Sequence, residues 1–303
     1  MNTVRIKAYA KVNLTLEITG VENGFHMLDS LVASIDVFDL IVLKKRKDGL
    51  SSVTMHGLGS ESIPPEKNNA LKAAERFSEK FGVGGADIAV YKNIPLGAGL
   101  GGSSADTAGV LNGMAKLYAV KDRVGIETLA DELGSDTKYM LDGGFARLQG
   151  RGERVEKLPI SSQLHLLLIC PKSGVSSGEC YRKYDELLPK SEKGSTENCI
   201  QALRGQDVEE AGRYLMNDLY IPAAALNGDV AKAREEALFF SPLGAVMTGS
   251  GSAAFALFET KEFCDWAQSR YKGKFRTIVT KTVLPEKLRF GWRNPFVLTE
   301  NGE

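Results

Sequence analysis

The chain has little of what marks several common protein classes. Its four cysteines stand at positions 170, 180, 199 and 264, and no two have the C-x-x-C spacing of a zinc or redox site. We therefore expect reduced thiols in a cytoplasmic protein. The longest apolar runs, such as residues 166–170, are too short to cross a bilayer, and residues 1–16 lack the apolar stretch of a signal peptide. We expect no membrane association.

Net charge is also lacking. Lys and Arg total 38, Asp and Glu total 38, so bulk charge gives no reason to expect a nucleic-acid partner. No repeat, low-complexity tract or long run of like charge occurs. At 303 residues the chain has room for two domains. We place a boundary near residue 158, which gives domains 1–158 and 159–303, and we expect a monomer or a weak homodimer.

The periodicity of apolar residues predicts a mixed α/β fold. Residues 4–18 alternate apolar and polar, which predicts a strand or a bent pair of strands. Lys11 and Asn13 then project from one side, roughly 7 Å apart. Further strands are predicted at 36–43, 87–94, 143–150, 164–170, 245–247, 253–258 and 275–284. Helices are predicted at 68–81, 103–118, 126–133, 176–188, 197–204, 207–219, 229–239 and 261–271. We expect Asn68 or Asn69 to cap the first helix, Ser176 and Glu179 to form a capping box, and residues 189–195 to be a linker.

The segment PLGAGLGGSSAD, residues 95–106, lies between a predicted strand and a predicted helix. The first N–H groups of a helix have no partner within it, and the helix dipole makes that end positive. Glycine lets the backbone approach a phosphate closely, so the sequence predicts an anion site here. Gly97, Gly99 and Gly102 also match G-x-G-x-x-G, but residues 1–94 read as antiparallel strands and not as a dinucleotide-binding unit. The loop lacks the lysine of a Walker A motif, and a plain flexible turn remains an alternative.

Three motifs of the chain, taken together, resemble those of a known protein family. They are AYAKVNLTL (residues 8–16), the glycine loop, and GAVMTGSGSAAFALF (residues 244–258). On these motifs the chain resembles the GHMP kinase superfamily over nearly its whole length. The resemblance implies ATP-dependent phosphoryl transfer to an alcohol. It also implies an α/β (α+β) fold with a ribosomal-protein-S5-like N-terminal domain and a ferredoxin-like C-terminal domain.

The resemblance implies roles for single residues. Asp136 would be the catalytic base, and Lys11 would keep it ionised and stabilise charge on the transferring phosphoryl group. By themselves, Asp136 also fits a helix cap and Lys11 a solvated lysine. ATP would be bound through Pro95, Leu96, Gly97, Ala98, Gly99, Leu100, Gly101, Gly102, Ser103, Ser104, Asp106 and Asn69. Mg²⁺ would be held chiefly by ATP oxygens and water, with the Ser104 hydroxyl as a candidate ligand.

Segments 24–39, 133–136 and 171–181 resemble the branch whose acceptor is a cytidine-bearing sugar alcohol. His26 would read the cytosine edge, and Phe25 and Tyr181 would stack on the base; Tyr181 fits a core aromatic equally well. The implied acceptor contacts are Asn13, Phe25, His26, Tyr181, Gly249, Ser250 and Gly251.

The chain departs from the family pattern at 137–139 (Thr-Lys-Tyr for the usual Val-Pro-Phe), at Ser252 (usually proline) and at Phe25 (usually tyrosine). Lys138 is expected to add positive charge near Asp136. Two alternatives stay open: a kinase for another alcohol, such as mevalonate, homoserine or a sugar, and a non-catalytic nucleotide-binding relative. The cytidine-reading residues argue against the first, and the presence of both Lys11 and Asp136 against the second.

Overall fold

The structure, a computed structural model, describes residues 2–57, 68–188 and 194–283. Positions 189–193 of the predicted linker and the end of the last predicted strand, Leu284, lie outside these ranges. The strands are β1 (Thr3–Asn13), β2 (Thr15–Glu22), β3 (Phe25–Lys45), β4 (Ser52–His56), β5 (Ala86–Tyr91), β6 (Phe145–Gly150), β7 (Arg154–Lys157), β8 (His165–Cys170), β9 (Met216–Asn217), β10 (Gly244–Met247), β11 (Ala254–Phe258) and β12 (Arg276–Lys281). The helices are α1 (Asn69–Phe81), α2 (Gly102–Tyr118), α3 (Arg123–Leu133), α4 (Thr137–Met140), α5 (Ser177–Leu187), α6 (Ser195–Arg204), α7 (Val208–Arg213), α8 (Tyr220–Leu226), α9 (Gly228–Leu238) and α10 (Lys261–Arg270).

Strand β3 organises the first sheet. Its first half pairs with β2 and β6 and its second half with β1 and β5, all antiparallel. β4 joins parallel to β5, and β7 antiparallel to β6. The predicted alternation in β1 holds as far as Tyr9, where the pairing with β3 shifts register before Lys11. Beyond that shift Lys11 and Asn13 are buried with their apolar neighbours, which excludes the solvated position for Lys11.

Helix α2 packs unusually close to this sheet. A Cβ on Gly109 would come 2.5 Å from Ile41 Cδ1, and one on Gly113 would come 2.4 Å from Leu43 Cδ1. Larger side chains would push the helix off the strands, so these glycines bring its axis near the sheet. The N-terminus of α2 is thereby held just above the strand that carries Lys11.

The second sheet has the order β10-β11-β8-β12 and is antiparallel throughout. Helices α9 and α10 pack against it. The two halves of the chain are also tied directly: the Glu17 carboxylate on β2 accepts the backbone N–H groups of Gly194 (3.0 Å) and Thr196 (2.6 Å). These are orphan donors at the start of α6, so a strand of the first half caps a helix of the second. β7 ends at Lys157 and β8 begins at His165, and the domain boundary near 158 remains our proposal.

Several element predictions were wrong. Within the range predicted as a helix, 207–219, only α7 is helical: the two-residue strand β9 follows it, and α8 begins just beyond the range, at Tyr220. β9 pairs parallel to β2, and the Asn217 amide donates to the carbonyls of Met247 and Gly249, both at 2.9 Å; these tertiary bonds override helix periodicity. The N-cap residue Ser176 makes no side-chain capping bond. β4 and the first part of β3 were missed, whereas Asn68 caps α1 as predicted.

Candidate active site

The glycine loop turns between β5 and the N-terminus of α2. Gly97, Gly99 and Gly101 adopt φ values of 64°, 75° and 72°, a region that L side chains rarely enter. Gly101 is the N-cap of α2 and supplies no side-chain cap, so the first-turn N–H groups of this helix lack a capping side chain. Ala98 and Leu100 point into the core. The predicted strand, glycine turn and helix start are therefore present, and anion binding by the loop amides stays a prediction.

The third motif interlocks with this loop, although it lies about 150 positions later in the chain. A Cβ on Gly99 would meet the carbonyl oxygen of Thr248 at 2.1 Å, and one on Gly249 would meet the Gly99 oxygen at 2.8 Å. The N–H groups of Ser252 and Ala253 donate to the carbonyls of Gly97 (3.3 Å) and Ala98 (3.2 Å). Each segment fixes the backbone of the other, so the loop conformation depends on both halves of the protein.

Lys11 and Asp136 form the charged pair of the site. Lys11 Nζ lies 3.3 Å from Asp136 Oδ2 and donates to Asn13 Oδ1 at 2.6 Å. The lysine side chain is almost fully buried, whereas the aspartate side chain is 28% exposed. Asp136 stands at the N-cap position of α4 but makes no side-chain capping bond. The capping interpretation of this aspartate is therefore wrong, and its carboxylate is available to a ligand.

Asn13 holds these groups in place. Its Oδ1 also accepts the N–H of Gly249 at 3.0 Å, and its Nδ2 donates to Ser30 Oγ at 2.9 Å. The Lys11 N–H donates to the Leu100 carbonyl at 3.1 Å, so β1 is bonded to the glycine loop as well. The three motifs of the sequence thus meet at one point.

A buried ion cluster lies behind the loop. Lys92 Nζ donates to Asp39 and to Asp106 Oδ2, the latter at 2.6 Å. Asp39 Oδ1 also accepts the N–H groups of Asn93 (2.6 Å) and Ile94 (2.9 Å), which directly precede the loop. Burial raises the pKa of the Asp106 carboxyl to about 8, although Lys92 opposes the shift and Asp39 adds to it. The predicted contact of the Asp106 side chain with ATP is not supported, because that carboxylate is buried and bound to Lys92.

Three other residues predicted to bind the nucleotide, Asn69, Ser103 and Ser104, lie at or beside the first turn of α2. Asn69 Nδ2 donates to Ser103 Oγ at 3.0 Å, which links the start of α1 to the start of α2. The Ser104 side chain lines a cavity of about 620 Å³ together with Lys11 and Asp136. Among the described ranges no cluster of three His, Cys, Asp or Glu side chains could hold a metal ion. The Ser104 hydroxyl stays a predicted ligand for a metal that arrives with a nucleotide.

The same cavity extends to the residues predicted to hold the acceptor. It is lined at that end by Phe25, His26, Tyr181, Arg151 and Asp185. The His26 ring stacks on Tyr181 with centroids 4.8 Å apart, and the Phe25 ring lies under the Arg151 guanidinium at 3.7 Å. The predicted pairing of Phe25 with Tyr181 is thus not preformed, since His26 occupies one face of Tyr181. Gly249 and Ser250 also line the cavity, and Ser250 Oγ lies 2.8 Å from Ser177 Oγ.

Three residues that depart from the family pattern, Lys138, Tyr139 and Ser252, each donate a side-chain hydrogen bond within the protein. Lys138 Nζ donates to Asp131 at 2.9 Å, so its charge is paired with a carboxylate other than Asp136. Tyr139 is buried and donates to the Gly144 carbonyl at 2.7 Å. Ser252 Oγ donates to the Ser173 carbonyl. Lys138, expected to add positive charge near Asp136, is thus ion-paired with Asp131.

Sequence reasoning missed Asp185, Arg151 and the Lys92 cluster. Asp185 stands four residues after Tyr181 in a predicted helix, so the i,i+4 rule placed both on one face. Lys92 and Asp39 carried no such signal, because only the pairing of β3 with β5 brings them together.

Comparison with known proteins shows the family. Residues 68–146 match the model for GHMP kinases N terminal domain, and residues 199–262 the model for GHMP kinases C terminal. A 4-diphosphocytidyl-2-C-methyl-D-erythritol kinase of Caldicellulosiruptor saccharolyticus is 33% identical over 281 residues, covering 91% of this chain and 96% of that protein. One of Carboxydothermus hydrogenoformans is 35% identical over 257 residues, covering 84% of this chain and 88% of that protein.

Solved structures agree. A crystal structure of 4-(cytidine 5'-diphospho)-2C-methyl-D-erythritol kinase superposes with a TM-score of 0.77 at 29% identity, covering 92% of this chain and 99% of that one. A homoserine kinase from Cytophaga hutchinsonii has a TM-score of 0.72 at 22% identity, covering 94% of this chain and 95% of that one, and shows the fold alone.

No helix within the described residues is long and apolar enough to cross a membrane. The expected two-domain α/β fold is confirmed. The chain belongs to the GHMP kinase family, in the group of the 4-diphosphocytidyl-2-C-methyl-D-erythritol kinases.

Proposed function

We propose that this chain is an ATP-dependent kinase that phosphorylates the 2-hydroxyl of 4-diphosphocytidyl-2-C-methyl-D-erythritol, in the non-mevalonate route to isoprenoids. The relatives at 33% and 35% identity bear this name over most of their length. The observation that carries the proposal is that one continuous cavity is lined by charged residues at one end and by aromatic rings at the other. One end holds Lys11 and Asp136 beside the glycine loop, and the other holds the ring pair His26 and Tyr181.

The nucleotide is proposed to bind with its triphosphate on the amides of the loop and of the α2 N-terminus. Those donors and the helix dipole favour a polyanion. Asn69 and Ser103 extend this surface at the start of α2. Bound Mg²⁺ supplies charge neutralisation for the phosphates, and the Ser104 hydroxyl is the protein group that would reach it.

The transfer itself needs little covalent chemistry from the protein. The acceptor oxygen attacks the terminal phosphorus, its proton passes to the Asp136 carboxylate, and ADP leaves with the electrons of the broken P–O bond. Lys11, whose Nζ lies 3.3 Å from Oδ2 of that carboxylate, stabilises negative charge as it develops on the transferring group. Asn13 holds the ammonium in place, since its amide oxygen accepts from Lys11 and Gly249, and it also lines the cavity as a predicted acceptor contact.

A coupled ADP-release assay tests the proposal across four acceptors: the cytidylated methylerythritol, mevalonate, homoserine and galactose. We expect turnover with the first and little with the others, because only a base-bearing acceptor fills the His26 and Tyr181 end. The Asp136→Asn variant serves as the inactive control. Faster turnover with homoserine or mevalonate would refute the assigned acceptor, and no turnover with any of them would refute the kinase assignment.

We further propose a cytoplasmic location and a monomer or weak homodimer, with no nucleic-acid partner. Sedimentation of the purified protein across a concentration series tests the oligomeric state. A stable higher oligomer at low concentration would contradict it.

A further inference from the structure

The His26 ring is held by a hydrogen bond and an edge-on aromatic contact in addition to its stacking on Tyr181. His26 Nε2 lies 2.7 Å from Asp185 Oδ1, its ring stacks on Tyr181 at an interplanar angle of 26°, and the Tyr184 ring meets it edge-on at 5.8 Å. Its side chain is 12% exposed, while that of Asp185 is 56% exposed. Three residues on one face of α5 therefore fix the plane of this imidazole and occupy one of its two nitrogens.

The partner of Nε2 decides what the other nitrogen does. An ionised carboxylate only accepts hydrogen bonds, so the nitrogen facing Asp185 must carry the proton. In a neutral imidazole the second nitrogen is then an acceptor. His26 lines the cavity that also contains Lys11 and Asp136, and Nδ1 is then the acceptor of its ring.

We infer that Asp185 is a positioning residue that selects the base of the acceptor by holding His26 in the Nε2–H tautomer. An Nδ1 acceptor bonds to the exocyclic amino group of cytosine, whereas uracil presents a carbonyl oxygen at that position and leaves two acceptors facing each other. This inference rests on the proposed function and adds a residue that acts on base choice through His26. It assigns Asp185 no contact with the reacting atoms.

The test separates base choice from affinity. CDP and UDP are titrated calorimetrically at pH 8 into the wild-type protein and Asp185→Asn, with a non-hydrolysable ATP analogue filling the nucleotide site. The asparagine keeps the shape of aspartate, but its amide can also donate to Nε2, which would give Nδ1 the proton. Glu186→Gln is the matched control: it removes the same charge from the next residue of α5, where the carboxylate pairs with Lys183 at 2.7 Å.

We expect the wild-type protein and Glu186→Gln to bind CDP at least about tenfold more tightly than UDP, as for a site built around one hydrogen bond. In Asp185→Asn the ratio should fall to about twofold or less. Loss of a surface charge alone would change both affinities equally and leave the ratio intact, because CDP and UDP share their diphosphate.

An unchanged ratio in Asp185→Asn overturns the inference, as does a wild-type protein without preference. If the wild-type protein phosphorylates the cytidylated acceptor and the ratio is insensitive to Asp185, only this inference fails. If it neither binds CDP nor phosphorylates that acceptor, the proposed function fails with it.

Discussion

Replacing Gly99 by alanine should break the interlock between the glycine loop and the third motif. Two costs follow from the structure. The backbone φ of +75° costs a Cβ-bearing residue roughly 1–2 kcal/mol. The new Cβ would also lie 2.1 Å from the Thr248 carbonyl oxygen and 3.2 Å from the Gly251 nitrogen, both backbone atoms that move only with their segment. Overpacking of this kind costs about 1–3 kcal/mol, for a total of about 2–5 kcal/mol.

The assay is urea unfolding together with the KM for ATP in the ADP-release assay. Gly49→Ala is the control, because Gly49 has φ +78° and a Cβ at this position would meet no other atom within 4 Å. It carries the backbone cost without the clash, and we expect a loss of about 1 kcal/mol and unchanged ATP kinetics. Gly99→Ala should lose more stability and raise the KM for ATP at least about tenfold, since one methyl group displaces the amides of the loop. Equal losses in the two variants, with ATP kinetics unchanged in both, would refute the interlock.

Three further changes test other parts of the site. Asp136→Asn should lower kcat by about 10²–10⁴-fold as for loss of a general base, with ATP affinity retained in a nucleotide titration; wild-type turnover would exclude this residue as the base. Because the pKa of Asp106 is raised from 3.8 to about 8 on folding, the folded state binds the extra proton, and its contribution to stability is lost as pH rises from about 4 through about 8. Asp106→Asn should flatten that dependence by up to about 1.4 kcal/mol per pH unit in urea titrations from pH 5 to 9, and parallel curves would contradict the shift. Glu17→Gln should cost about 1 kcal/mol by weakening the cap on α6, whereas Glu22→Gln, at the exposed end of the same strand, should cost nothing measurable; equal effects would deny the capping role.

Local signals predicted the parts of the fold that depend on neighbouring residues. The alternation in β1, the asparagine cap of α1 and the strand-loop-helix order around residues 95–106 all depend on short-range geometry, and all are found. The failed helix at 207–219 shows the limit. Its periodicity is real, but Asn217 finds better partners in Met247 and Gly249, thirty positions away.

The residues of the candidate site divide in the same way, into those that the sequence predicted and those that depend on tertiary contacts. The resemblance brought Lys11 and Asp136 together, and the structure places them 3.3 Å apart. It could not foresee that Asp106 turns inward to Lys92, because that bond depends on the pairing of two strands and a helix. Nor could it foresee that His26 lies against Tyr181. Side-chain partners across elements are set by tertiary packing, and one sequence carries no direct record of them.

The bond from the Asn13 N–H to Thr248 Oγ1 joins positions 235 residues apart. During synthesis on the ribosome, the segment around Thr248 emerges long after the strands and the glycine loop of the first half. A nascent chain stopped before that point would display a nucleotide loop without the backbone that shapes it, so catalytic competence arrives late in translation and premature termination products should neither consume ATP nor sequester it.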